Sequence, residues 1–282
     1  VAAFCAWNRA ESPIHRISTV ASAAQGGETV SEEHMLHRTT RRPQFFYTTA
    51  PMPCPYLAGR TERKVVTELT GTESEALHDR LSRAGFRRSH NIAYSPVCPG
   101  CQACIPIRIV CDRFQPDRTQ RRVARDNADL TAHEAGARAT AEQFNLFQRY
   151  QQARHNDGDM ASMGFYDYRA MIEDTPITTH VVEFRDAEGR LVAACLTDRL
   201  SDGLSAVYSF YDPELERRSL GTYAVLWLVR HALELGLPYV YLGYWVPQSR
   251  KMAYKARFRP SEILTGGHWR ELLATDVAQP TE

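Results

Sequence analysis

Aromatic and aliphatic residues alternate from Tyr239 to Trp245, the pattern of a buried strand. Val246-Pro247 ends it, because proline lacks a backbone donor and restrains the residue before it. Upstream, Leu220–Leu235 is apolar on nearly every side, which predicts a buried helix with Ser219 as N-cap and Gly236 closing it. Thr179–Arg185 and Leu191–Arg199 read as strands flanking a hairpin turn at Asp186-Ala-Glu-Gly189, and Leu204–Tyr211 follows as a third. Nearer the amino terminus, Thr140–Arg154 places Ala141, Phe144, Phe147, Tyr150 and Ala153 at helical spacing. Ala76, Leu77, Leu81 and Ala84 do the same over Glu73–Ala84, with Gly85 as the C′ residue. Residues 44–50, Arg63–Leu69, Phe86–Tyr94 and Ile105–Val110 are expected as strands.

Hairpins followed by strand–helix–strand, with a loop where the last strand ends, are the organisation of acetyltransferase-like (GNAT) folds. The expected class is α/β (α+β): a GNAT-like acyltransferase fold with a mixed sheet and flanking helices, preceded by a smaller cysteine-containing N-terminal domain. The expected divisions are an extension over 1–34, an N-terminal part over 35–135, a C-terminal part over 136–270 and a tail over 271–282. Residues 1–34 are small and polar, and lack the apolar core of a signal peptide. They are expected to be disordered, with Met35 marking where a start belongs.

Charge changes the picture more than composition does. A net charge of +1 hides an asymmetry: residues 35–125 carry 16 Lys/Arg against 7 Asp/Glu, and residues 126–188 carry 5 against 12. Arg250, Lys251, Lys255, Arg257 and Arg259 follow the Tyr239–Trp245 strand with no carboxylate among them, and Tyr254 and Phe258 lie between. A basic segment interleaved with aromatics at a strand end suits a polyanion, nucleic acid above all; its plainer reading is a solvated loop. Arg113, Arg118, Arg121, Arg122 and Arg125 form a second such surface, on a basic loop running into a helix. No apolar run approaches the roughly 20 residues needed to span a bilayer. Seven cysteines in a chain this long point to a reducing, cytoplasmic setting rather than a disulfide scaffold. Cys98, Cys101 and Cys104, with Cys54 upstream, supply the four thiols of a structural zinc or an iron–sulfur cluster. They equally suit small apolar residues lining a turn.

Several short runs together carry a resemblance. They are Pro53-Cys-Pro-Tyr-Leu57, Phe86-Arg-Arg-Ser89, Tyr94-Ser-Pro96, Cys101-Gln-Ala-Cys-Ile-Pro-Ile-Arg108, Tyr150-Gln151 with His155, Tyr208 to Pro213, Ser219-Leu-Gly-Thr-Tyr223, and Lys251-Met-Ala-Tyr-Lys-Ala-Arg-Phe-Arg-Pro260. Over residues 43–270 the chain resembles the bacterial aspartate/glutamate leucyltransferases, relatives of the arginyl-tRNA–protein transferases. The resemblance implies transfer of an amino acid from aminoacyl-tRNA, with Leu-tRNA favoured, to the α-amine of proteins beginning with Asp or Glu, marking them for degradation by the N-degron route. It also implies a metal or cluster on the amino-terminal cysteines of eukaryotic relatives. There the first motif is Cys-x-x-Cys; here Leu57 stands in its second cysteine position and Cys98 is extra.

An aminoacyl ester is already activated, so no cofactor is required for the chemistry; positioning, oxyanion stabilisation and a proton for the leaving ribose oxygen suffice. An α-amine titrates near pH 8, so much of it is neutral in a cell. Lys251, Lys255 and Arg257 are assigned to tRNA phosphate or the terminal adenosine, with Ser219 and Arg122 as further tRNA contacts. Asp212, Tyr254 and Lys251 are the catalytic candidates: Asp212 for the incoming amine, Tyr254 to stack or donate a proton. Asp212 equally suits a turn. Arg88 and Arg108 are candidates for reading the acceptor's acidic side chain by paired hydrogen bonds, or for ordinary contacts. Three other readings compete: an arginyl donor, an acetyl-CoA-dependent N-acyltransferase, and a zinc-stabilised RNA-binding module on Cys98–Cys104. Arg218-Ser-Leu-Gly221-Thr-Tyr223 resembles a pyrophosphate loop, but a tyrosine stands where close approach needs glycine or alanine.

Overall fold

The structure, a computed structural model, describes residues 15–16, 43–156 and 158–278. Apart from the strand β1 (His15–Arg16), the extension expected over 1–34 lies outside the described residues. Next come β2 (Tyr47–Thr48), β3 (Met52–Pro53), β4 (Thr61–Glu62), β5 (Lys64–Glu68), α1 (Ser74–Arg83), β6 (Arg87–Ser89), β7 (Ile92–Pro96) and β8 (Ile105–Val110). They are followed by α2 (Arg118–Asp126), β9 (Thr131–Gly136), α3 (Ala141–Arg154), α4 (Phe165–Glu173), β10 (Thr179–Arg185), β11 (Leu191–Arg199) and β12 (Gly203–Tyr211). The described chain closes with α5 (Leu220–Glu234), β13 (Tyr239–Trp245), β14 (Ser261–Thr265), β15 (His268–Glu271) and α6 (Ala274–Ala278).

Eight strands form the main sheet in the order β15-β14-β8-β13-β12-β11-β10-β9. Only the β12–β13 pairing within it is parallel, joined by the α5 crossover that parallel neighbours require. Both faces are covered, which is why β11 is buried over nearly its whole length. Ala193 and Cys195 face α5 and α2; Ala194 and Leu196 face α3 and α4, in the alternation a strand imposes. On the α3 side, Phe147, Tyr168 and Phe210 pack with ring centroids 5.1–6.1 Å apart, each ring contributing about 1.5–3 kcal/mol by burial.

A smaller sheet, β1-β2-β5-β7-β6, leans on the main one. Tyr244 of β13 donates to the Gly85 and Tyr94 carbonyls, while Arg88 of β6 reaches across to Asp198 of β11. The expected boundary near residue 135 is crossed by the main sheet, because β8 lies between β14 and β13. Leu272, within the expected tail, is buried in the core and precedes α6.

Two local expectations change. Phe86–Tyr94 is a hairpin rather than one strand, since His90 takes a left-handed φ of 53° and the chain turns there. Ser219 is left-handed as well, and its side chain caps nothing. A left-handed residue cannot aim its hydroxyl at the next turn as an extended N-cap does.

Candidate functional site

The parallel strands β12 and β13 pair only over Gly203–Ser205 against Tyr239–Tyr241. Beyond that they part. Val207 drops out of the β11–β12 ladder, a bulge that bends β12, and Gly243 in β13 takes a φ of +75°. Arg87 fills the fork: Nη1 donates to the Leu242 carbonyl at 3.3 Å, and Nη2 to the Ala206 and Val207 carbonyls at 3.1 and 2.9 Å. Gly243 is required here, since a Cβ would lie 1.4 Å from the Arg87 guanidinium.

A cavity of about 220 Å³ opens at this fork. Ala224, Val225 and Leu228 of α5, with Leu242, give it an apolar wall. Tyr150, Gln151 and His155 line it from the end of α3, Pro55 and Tyr56 from the amino-terminal turn, and Lys251, Met252, Tyr254 and Lys255 from the basic loop. The described lining holds Arg87, Lys251 and Lys255 and no carboxylate.

Lys255 is buried, and its Nζ donates to the Tyr244 carbonyl at 2.7 Å. Burial, then the neighbouring Arg87 charge, hold it well below the usual lysine range, which favours the uncharged amine. Tyr254 is 41 % exposed as a residue, yet its hydroxyl sits among Tyr211, Arg87 and Cys195, and burial lifts it to about 12. It therefore keeps its proton at neutral pH. Burial and then Lys251 lower His155, which keeps the imidazole neutral. Gln151 donates from Nε2 to the Tyr208 hydroxyl at 2.5 Å, but among the described residues its buried Oε1 has no partner. A buried acceptor left this way is costly unless a ligand fills it.

The loop's remaining cations fan outward. Arg250, Arg257 and Arg259 line a basin beside the cavity that shares Tyr254 with it, and Gln120 of α2 donates to the Arg257 carbonyl. Next along α2, exposed Arg118, Arg121, Arg122 and Arg125 line a second basin. Val123 of the same helix faces the core, so the arginines are forced to solvent.

Other sequence candidates lie off the cavity. Asp212 is 2 % exposed; Arg149 holds its carboxylate at 3.3 Å, and the Glu214 amide donates to it across the turn. Its turn reading fits this placement. Arg88 is buried and grips Asp198 through Nε at 2.8 Å and Nη2 at 2.6 Å. Arg108 is sandwiched 3.5 Å from the Tyr239 ring and 4.3 Å from Trp269, and pairs with Glu262 at 2.7 Å. Both arginines already hold a carboxylate, so neither presents a free fork to an acceptor. Lys255 lies on the cavity floor rather than on an outer face where phosphate could reach it. Ser219 is exposed outside the lining. Arg218 of the pyrophosphate-like run donates to Asn127 and pairs with Asp129, and Tyr223 packs edge-on against Phe184 at 5.6 Å.

Cys54, Cys98, Cys101 and Cys104 line one small apolar pocket with Tyr56, Tyr94 and Tyr244. Burial first, then the other three thiols, push Cys104 up to about 12. Cys98 Sγ lies 3.5 Å from the Arg63 amide nitrogen and donates to its carbonyl at 3.7 Å. Among the described residues no three His, Cys, Asp or Glu side chains converge as metal ligands. The four thiols thus share one pocket.

Arg87, Gln151 and Tyr208 are site residues to which no local sequence pattern assigns a role. The signal for Arg87 was strand alternation: of two adjacent arginines on β6, only one can turn toward β11.

Sequence models for the two ends of the arginine-tRNA-protein transferases match this chain, the N terminus over residues 52–122 and the C terminus over residues 142–265. The chain is 62% identical over 244 residues to an aspartate/glutamate leucyltransferase of Paramagnetospirillum magneticum, covering 86% of this chain and 100% of that one. It is 65% identical over 238 residues to another from Gluconacetobacter diazotrophicus, covering 84% and 92%. Among solved structures, the C-terminal domain of a putative lysylphosphatidylglycerol synthetase from Agrobacterium fabrum is matched at 13% identity and a TM-score of 0.43, over 70% of this chain and 63% of that one.

Proposed function

This chain belongs to the arginine-tRNA-protein transferase family, and from that premise we propose how its cavity carries out the family's chemistry. It is an aminoacyltransferase that moves leucine from charged tRNA to the α-amine of proteins beginning with Asp or Glu. Such transfer would mark the acceptor for N-degron degradation. The observation that carries the leucyl reading is the lining: one apolar wall, the cations Arg87 and Lys251, the depressed Lys255 amine and no described carboxylate. A leucyl side chain finds burial against Ala224, Val225, Leu228 and Leu242, whereas an arginyl guanidinium would meet like charge and no counter-ion. The occupied Arg218 and the bulk of Tyr223 weigh against acetyl-CoA at the pyrophosphate-like run.

The chemistry follows from the states of the lining groups. The neutral acceptor amine attacks the ester carbonyl carbon, the N–C bond forms, and the ester C–O bond breaks. Lys255, neutral on the floor, takes the proton released by the amine. Tyr254, still protonated, gives one to the leaving ribose oxygen. The orphaned Gln151 Oε1 accepts from an incoming N–H and thereby holds the amine in line. No step needs a cofactor. The Cys54, Cys98, Cys101 and Cys104 pocket is a place for a structural metal only if the thiols re-orient; metal analysis of the purified chain tests this.

The basin of Arg250, Arg257 and Arg259 and the α2 arginines lead away from the cavity mouth, which supports a path for the acceptor arm of tRNA along them with its charged end at Lys251. Lys251→Ala should raise KM for Leu-tRNA about tenfold and lower the salt slope by about one, with an unchanged melting temperature. An unchanged KM at low salt would remove Lys251 from the tRNA site. No described helix is long and apolar enough to cross a membrane, and a tRNA-dependent enzyme belongs in the cytoplasm. The bulged, splayed β12–β13 pair and the α5 crossover support the acetyltransferase-like (GNAT) reading of the main sheet, with the cysteine-bearing smaller sheet as its amino-terminal addition.

A further inference from the structure

Among the described residues no carboxylate answers the Arg87 charge at the fork. Three backbone carbonyls fix its guanidinium in place, and among the described residues no carboxylate lies within ion-pair distance of it. Guanidinium offers five N–H donors, and those three bonds leave Nε–H and one Nη1–H without a described acceptor. Carbonyl dipoles orient a charge without neutralising it, so a half-buried guanidinium held in this way favours an incoming anion. Gly243 is shaped around it, which marks the placement as a built feature of the fork.

We propose that Arg87 reads the acidic side chain of the acceptor's first residue. The inference rests on the leucyl-transfer reading of the same cavity. Arg87 and Lys255 are neighbours on the cavity floor, so a carboxylate held at Arg87 leaves the α-amine of the same residue beside Lys255. The alternative anion, a phosphate of the tRNA end, would meet the exposed Arg250, Lys251 and Arg257 first, and those lie at the mouth and along the loop. Arg88, its neighbour in sequence, cannot share the role because Asp198 already holds it.

The test is leucyl transfer to two peptides that differ only in beginning with Asp or Asn, by the native chain, by Arg87→Gln and by Arg87→Lys. The native chain should prefer Asp. In Arg87→Gln the Asp-over-Asn ratio of kcat/KM should fall about tenfold or more, while KM for Leu-tRNA stays unchanged. Arg87→Lys keeps the charge without the fork and should retain part of the preference; it carries the test should Arg87→Gln not fold. An unchanged ratio in whichever variant folds, or a raised KM for Leu-tRNA with the ratio intact, would overturn the assignment and give Arg87 to the tRNA end or to the fold. Failure of the native chain to transfer leucine to either peptide would instead sink the underlying reading, and this inference with it.

Discussion

Arg88→Ala should lower stability by about 3–5 kcal/mol, the range for removing one member of a buried ion pair. Its partner Asp198 is fully buried and takes both oxygens' main bonds from Arg88, at 2.8 and 2.6 Å, with the Thr179 hydroxyl donating at 2.8 Å. His78 lies 3.7 Å away, but burial holds its pKa below the ordinary value, so it is a poor replacement cation. With Arg88 gone, a charge sits in the interface between the two sheets with one hydroxyl for company. Urea unfolding reads the loss directly. The double variant Arg88→Met with Asp198→Leu should recover a large part of it, because removing both charges removes the desolvation penalty. If Arg88→Ala melted like the native chain and lost only its preference for acidic acceptors, the acceptor role expected from the sequence would be restored.

Lys255→Met should lower kcat about a hundredfold or more while leaving the melting temperature near that of the native chain. The methionine stem replaces the buried apolar part of the lysine, and the lost bond to the Tyr244 carbonyl is a single one. What disappears is a neutral amine on the cavity floor. The pH profile separates a proton acceptor from a packing role: loss of the acceptor should flatten the acidic limb of kcat, whereas loose packing would scale the profile without changing its shape. A variant with native kcat at all pH values would leave the acceptor amine to deprotonate in solvent.

Most regular elements were legible because their hydrophobic period was intact. α5, β10, β11, β12 and β13 fall within a residue or two of their expected limits, and α3 starts where Thr140 caps it. Some that escaped lack such a pattern, although α4 keeps Tyr168, Met171 and Ile172 on one buried face. β9, Thr-Ala-His-Glu-Ala-Gly, is an exposed edge strand whose pairing with β10 alone defines it. The β6–β7 hairpin turns through His90, a residue with no strong turn signature of its own. The site was legible as a neighbourhood more than as roles. Lys251, Tyr254 and Lys255 do meet at one cavity, but whether a cation points inward or outward depends on which face of a tight turn it occupies. Asp212 drew attention as a carboxylate at a strand end; its commitment to Arg149 and to the following turn involves a residue 63 positions away in sequence, which no local pattern encodes. Arg87 and Arg88 show the same limit in its sharpest form: adjacent, identical in chemistry, and opposite in direction.

The measurement that bears most directly on this account is transfer of labelled amino acid from Leu-tRNA and from Arg-tRNA to peptides beginning with Asp, Glu, Lys or Ala. An apolar wall and a described lining with cations and no carboxylate predict leucine on the Asp and Glu peptides alone, with arginine transferred to none. Arginine transferred as readily as leucine, or leucine on the Lys and Ala peptides, would contradict it.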